Sequence, residues 1–172
     1  PINPALVVAA YQPPERPPHI DLLLDGNEGR PPALAVGALL DAAGPELLRR
    51  YPDAAPLEAR IAARHGLAPD RVLATAGADD GLARCIRAYA DAGHPLVHTE
   101  PTFEMIPRYA RLAGAPLRAV PWAGGPFPRG AFLEAAAEAP GVLAVVSPNN
   151  PTGAVVTAAD LAALSRARPE AL

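Results

Sequence analysis

The sequence predicts an α/β fold, three layers deep around a mostly parallel sheet, and three observations carry that prediction. Short apolar runs recur between residues 71 and 146, each stopped by glycine or proline. Segments with helical periodicity separate them, so that strand and helix alternate at the spacing of a parallel sheet. No internal repeat or low-complexity linker interrupts the alternation.

Taken in order, the first thirty residues hold six prolines, including the run "PPERPP", which suits an extended arm over a surface. From residue 31 a helix is expected, with Pro32 in its first turn, Leu34, Leu39 and Leu40 as apolar positions, and Gly44 as its stop. Pro56 to His65 reads as a second helix, with Leu57, Ile61 and Ala62 on one side and Gly66 ending it. "RVLATAG" (71–77) then reads as a strand and Asp79 to Asp91 as a helix. In that helix Leu82, Cys85, Ile86 and Tyr89 recur at the i, i+3, i+4, i+7 spacing of one face, which places Cys85 in the core. "PLVHTE", "LRAVP" and "VLAVV" supply three more strands. Between them lie helices over Phe103 to Ala113, which Pro107 should shorten or kink, and over Ala131 to Ala139. Thr157 with Asp160 makes a cap for a last helix carrying Leu161 and Leu164. The alternation calls for a further strand just after "RARPEAL", so the chain reads as the front part of a domain.

Bulk composition narrows the function classes. At 172 residues the chain can bury a sizeable core, and 50% hydrophobic with 19% charged residues is ordinary for a globular protein. A net charge of −3 offers no footprint for nucleic acid or an anionic membrane. Its one cysteine, Cys85, excludes an internal disulfide and fits a reducing compartment. No apolar run reaches the ~18 residues of a membrane span, and the start lacks the basic residues of a secretory signal, so the cytoplasm is the expected location. All 15 basic residues are arginine; lysine is missing from the chain. His19, His65, His94 and His98 show no metal-ligand spacing, and structural roles are expected for them.

Open α/β sheets bind ligands at the carboxyl ends of their strands, and three such ends carry unusual residues. "TAGADDG" (75–81) is a glycine turn entering a helix, whose free N–H groups and dipole suit an anion. Asp79 and Asp80 would then have to point away, and an ordinary Asp-capped helix is the competing reading. "TEPTFEM" (99–105) places Phe103 after a proline-stopped strand, able to cover a flat ring or simply to pack in the core. "VSPNNPTG" (146–153) runs an apolar strand into two asparagines between two prolines, where a plain turn needs only one such pair. Fixing Asn150 so firmly suggests an amide aimed at a ligand.

"SPNNPTG" with "GADDG", "PTF" and "RYPD" resembles the class I/II aminotransferases of pyridoxal phosphate (PLP) fold type I, and most of all their histidinol-phosphate aminotransferase branch. Asn27-Glu28 and Tyr51-Pro52 also match that branch, and the likeness runs from about Leu22 to Leu164. The resemblance implies that residues 1–30 are an arm and the start of a small, substrate-closing domain. Residues 31–172 would be the first part of the large PLP-binding domain. It further implies that backbone N–H groups of Gly77, Ala78 and Asp79 cradle the cofactor phosphate. Phe103 would stack on the pyridine ring, where relatives usually have Tyr or Trp. Asn150 would donate to the ring's O3′, and Tyr51 would reach the phosphate in a partner subunit, making a homodimer part of the site. Asn27 would lie near the substrate. Cis bonds are implied at Glu100–Pro101 and Asn150–Pro151.

The implied reaction moves an amino group between an amino acid or amino-phosphate, such as histidinol phosphate, and a 2-oxo acid. No catalytic residue is assigned within the chain, because the Schiff-base lysine of the family is missing from it. Two alternatives stay open at this point. One is a PLP-dependent decarboxylase of the threonine-phosphate type; the other is a non-catalytic fragment surviving as a binding module.

Overall fold

The computed structural model describes residues 15, 18–19, 33 and 35–172. Asn27, Glu28, Pro32 and Leu34 lie outside the described residues. The chain divides into two compact units, a smaller one whose described residues end at Ala74 and a larger one formed by Thr75–Leu172.

In the smaller unit, α1 (Val36–Ala43) stops at Gly44, whose φ of 65° suits glycine. A single turn, α2 (Glu46–Arg49), follows, with Glu46 bridged to Arg49 and Arg50 on the surface. Such exposed pairs contribute little to stability. In α3 (Ala55–His65), Pro56 sits in the first turn, where its missing N–H costs nothing. Gly66 ends the helix in the left-handed region, and the N–H of Leu67 reaches back to the Ala62 carbonyl at 2.9 Å.

Here one expectation fails. No strand forms over "RVLATAG": Val72 has extended dihedrals (φ −126°, ψ 131°), yet no ladder partner runs beside it among the described residues. A strand is a paired object, and apolar composition alone does not supply the pair. The segment is held from the side, the Glu58 carboxylate accepting the Ala74 N–H at 2.8 Å.

The larger unit keeps the alternation: α4 (Gly77–Tyr89), β1 (Leu96–Glu100), α5 (Met105–Leu112), β2 (Leu117–Pro121), α6 (Arg129–Ala135), β3 (Val142–Ala144) and α7 (Ala158–Ala167). The strands form a parallel sheet in the order β2-β1-β3, with Leu96 opposite both Leu117 and Val142. Pro107 is tolerated because it falls in the first turn of α5, where no helical acceptor awaits its N–H. Thr157 caps α7 as expected, its hydroxyl accepting the Asp160 N–H at 3.1 Å. β3 is shorter than "VLAVV", because its pairing with β1 ends at His98 and Ala144. Beside it Leu172 makes a parallel bridge, donating to the Gly141 carbonyl and accepting from the Leu143 N–H.

Alternation along the strands produces two cores. Leu96, Leu117, Val142 and Ala144 pack with Ile86 of α4 and Ile106 and Ala110 of α5. Val97, Val120, Leu143 and Val145 pack with Phe132 of α6 and Leu164 of α7. Neighbouring residues therefore go to opposite faces, and the helices form a layer on each. On the second face an aromatic chain runs from Trp122 to Phe127 (centroids 5.4 Å apart, edge-on) and on to Phe132 (5.3 Å). Below it two arginines hold the end of α6. Arg118 donates to the carbonyls of Ala135 and Glu138 at 2.9 and 3.2 Å, and Arg168 donates to that of Ala136.

One close approach can be tested directly. A Cβ on Gly141 would stand 2.0 Å from the Tyr89 carbonyl oxygen, whereas one on Gly130 would meet nothing within 4 Å. Thermal melts of the protein carrying this chain should show Gly141→Ala costing on the order of 1–3 kcal/mol, as overpacking does. Gly130→Ala, inside α6, should be neutral or stabilising by up to about 1 kcal/mol. Equal melting temperatures for the two variants would refute the close packing of β3 against the end of α4.

Candidate functional site

The turns that leave β1 and β3 are built from proline and tied to each other. Glu100–Pro101 and Asn150–Pro151 are cis, as the family resemblance implies, and Ser147–Pro148 is cis as well. The Asn149 N–H donates to the Ala154 carbonyl at 2.7 Å and the Gly153 N–H donates back to the Asn149 carbonyl at 2.6 Å. These two bonds close a small loop with Asn150 and Pro151 inside it. Gly153, with φ of 72°, lets the chain turn back. Ser147 steadies the outer part of the loop, its Oγ accepting the Val156 N–H at 3.1 Å.

The two asparagines part company here. Asn150 is exposed at the loop, its amide bound to nothing among the described residues. Asn149 is buried, and its Nδ2 donates to the Pro101 carbonyl at 3.0 Å and to the Thr152 hydroxyl at 2.9 Å. Sequence reasoning singled out Asn150 and missed Asn149; the doubled asparagine was the available signal. Three oxygens in this strand-end region, Thr99 Oγ1, Thr102 Oγ1 and Asn149 Oδ1, are buried without a partner among the described residues. Phe103 follows Pro101 by two residues and is half-buried, with part of its surface packed against the core cluster of Ile86, Leu96 and Ile106.

The third strand-end feature is the start of α4. Gly77 opens the helix with φ of 81°, is exposed, and has open space where a side chain would stand. Its N–H donates to the Thr75 carbonyl at 2.8 Å, and the Thr75 hydroxyl donates to the Gly77 carbonyl at 2.9 Å. The exposed Ala78 and Asp79 carry first-turn N–H groups with no helical acceptor. The Asp80 carboxylate turns back on its own helix start, accepting the Ala76 N–H at 3.1 Å and the Arg84 guanidinium at 2.9 Å. Arg84 first, then the Ala76 N–H, hold the Asp80 carboxyl below the usual carboxylate range. Tyr109 of α5 feels the same acidic turn. Loss of solvent, then the charges of Asp79 and Asp80, push its phenol up.

The structure thus gathers Gly77, Ala78, Asp79, Phe103 and Asn150 in one unit, with the Phe103 and Asn150 turns joined by a hydrogen bond. Tyr51 belongs to the smaller unit and is fully exposed there. Cys85, expected in the core, is exposed. The packed stripe of α4 runs through Leu82, Ile86 and Ala90 at steps of four, which turns Cys85 outward. His98 is buried in β1 with Nδ1 2.8 Å from the Thr99 carbonyl, a structural position.

The family profile described as "aminotransferase class I and II" matches residues 21–170. The chain belongs to that family. Histidinol-phosphate aminotransferase of Ruegeria pomeroyi is 37% identical over 122 residues, covering 70% of this chain and 34% of the relative. The enzyme of the same name from Rhodospirillum centenum is 38% identical over 152 residues, covering 86% of this chain and 41% of the relative. Among solved structures, histidinol-phosphate aminotransferase from Sinorhizobium meliloti, in complex with pyridoxal-5′-phosphate, superposes with a TM-score of 0.66. It is 22% identical and covers 78% of this chain and 37% of that one, which establishes the shared fold type I architecture. The chain spans between a third and about two fifths of the length of the curated relatives it matches.

The turn that opens α4 has a pH signature. A carboxyl whose folded pKa is depressed stabilises above its unfolded pKa, and that stability is lost as pH falls through the folded value. Asp80→Asn should therefore lower the melting temperature at pH 7, with the gap closing on acidification below the ordinary carboxylate range. A gap that stays constant with pH would show that Asp80 acts by shape and not by charge.

Proposed function

We propose that this chain is the front part of a PLP-dependent aminotransferase, with residues 31–172 as the first part of its cofactor-binding domain. It would move an amino group between an amino acid or amino-phosphate of the histidinol-phosphate kind and a 2-oxo acid. The observation that carries this reading is the pairing, within a member of the family, of a glycine-opened helix start with an exposed Asn150 on a closed strand-end loop.

The residues present fit the cofactor. Two free first-turn N–H groups, the helix dipole and the side-chain-free Gly77 make an anion cradle for its phosphate. Asp80 is held by Ala76 and Arg84, so its charge is partly balanced beside that cradle. Phe103 would lend its free face to the pyridine ring, stacking without the hydrogen bond that a Tyr or Trp could add. Asn150 would donate its amide to the ring's O3′ and hold the ring in one orientation. Bound, pyridoxal phosphate supplies an electron sink for charge developing at the amino-bearing carbon. The lysine-free chain offers no side-chain amine of its own to the cofactor aldehyde.

Two further residues complete the reading. Tyr51, exposed and able to donate through its hydroxyl, would reach the phosphate held by the other subunit of a homodimer. Asn27 would face the substrate. The single cysteine, which fits a reducing compartment, supports a cytoplasmic location. No helix among the described residues is long and apolar enough to cross a membrane. The decarboxylase alternative gains no residue of its own in this chain.

In the protein that carries this chain, Asn150→Ala should lower turnover roughly 10- to 100-fold, the loss of one hydrogen bond to a charged group. Its melting temperature should barely move, because the side chain is exposed. Unchanged turnover with a lowered melting temperature would make Asn150 a turn residue only.

Mixing Tyr51→Ala subunits with Asn150→Ala subunits tests the shared site. If Tyr51 serves the partner, both lesions fall in one site of a mixed dimer and the other site is intact. Activity should then rise above both parents, towards half of wild type. Confirmed mixed dimers with no recovered activity would count against the arrangement.

A further inference from the structure

We infer that Asn149 is a positioning residue that sets Asn150 and Phe103 in register with each other; the inference rests on the cofactor reading above. Both protons of its amide are used, one on each side of a gap between two turns. One goes to the Pro101 carbonyl, two residues before Phe103, and the other to the Thr152 hydroxyl, two residues after Asn150. Its own N–H and carbonyl close the loop in which Asn150 sits. One buried residue thus makes four hydrogen bonds, and every one constrains a turn that carries a proposed cofactor contact.

The unused atom strengthens the case. Asn149 Oδ1 is buried with no partner, an arrangement that is costly wherever it occurs. An apolar residue of similar size would remove that cost and fill the same space. Only the two donated bonds distinguish asparagine from such a residue, so the donors are what the position uses. A carboxylate would fail as well, because it offers no N–H and would face the Pro101 carbonyl oxygen with like charge. Thr152 is the second half of the clamp: its Oγ1 accepts from Asn149 at 2.9 Å and from the Ala154 N–H at 3.3 Å.

Sequence position separates the two asparagines by one residue, but their tasks separate cleanly. Asn150 touches the cofactor in the proposed site, whereas Asn149 touches only protein and acts through its neighbours. A residue of the second kind leaves a signature that general loosening does not. Its loss should alter how tightly and in what orientation the ring is held, and should make the later loss of Asn150 redundant.

The test uses the whole protein that carries this chain, stripped of cofactor and titrated with pyridoxal phosphate, followed by fluorescence and by the absorption band of the bound cofactor. Asn149→Ala and Asn149→Asp should each raise the dissociation constant at least tenfold and shift the band. The double variant Asn149→Ala with Asn150→Ala should bind within about twofold of Asn149→Ala alone. Thr152→Val, which leaves the Pro101 bond in place, should weaken binding in the same direction but less, and it serves if the Asn149 variants do not fold. Unchanged affinity and band in Asn149→Ala, or in Thr152→Val where that variant stands in, would overturn the inference, as would multiplicative losses in the double variant. A wild-type protein that does not take up pyridoxal phosphate would instead sink the functional reading on which the inference rests.

Discussion

β1 is hydrogen-bonded along both of its edges, to β2 and to β3, and all three strands point the same way. Parallel neighbours cannot be joined by a tight hairpin, so the chain must leave the sheet and return through a helix each time. Two consequences follow from that constraint. Helices are forced onto both faces, giving separate cores under α4–α5 and α6–α7. The carboxyl ends of all strands are also forced onto one rim, where the turns after β1 and β3 emerge side by side. The bond from Asn149 to Pro101 exists because of that adjacency.

Much of this was legible from residue order. Helices announced themselves through periodicity and through their ends: Gly44 and Gly66 stop helices, Thr157 caps one, and Pro56 and Pro107 fall where a missing N–H is harmless. The strands from residue 95 onward were visible as apolar runs ending in proline or a polar residue. The misreadings share one physical origin. "RVLATAG" has strand composition, but pairing depends on a neighbour that composition does not specify. Cys85 lies on a plausible helical face, and the direction from which α5 and the sheet approach decides that the true stripe passes through Leu82, Ile86 and Ala90.

The candidate site divides along the same line. Gly77 and Asn150 could be picked out locally, since a left-handed turn and a proline-flanked amide are written in a few adjacent residues. Asn149 could not be ranked above Asn150, because its role depends on a carbonyl 48 residues away in sequence. Phe103 shows the middle case. Its competing uses, ring cover and core packing, turn out to coexist in one half-buried side chain.

The arginine clamp on α6 reaches beyond packing. Arg118 and Arg168 hold the carbonyls at the end of the helix with planar guanidinium groups, whose donors are set in a fixed fork. With no lysine in the chain, none of these contacts depends on a primary amine. Amine-directed acylating reagents and lysine-directed crosslinkers would therefore find no lysine side chain to modify in this segment. Labels attached by such chemistry to the protein that carries it would report on other parts of the molecule.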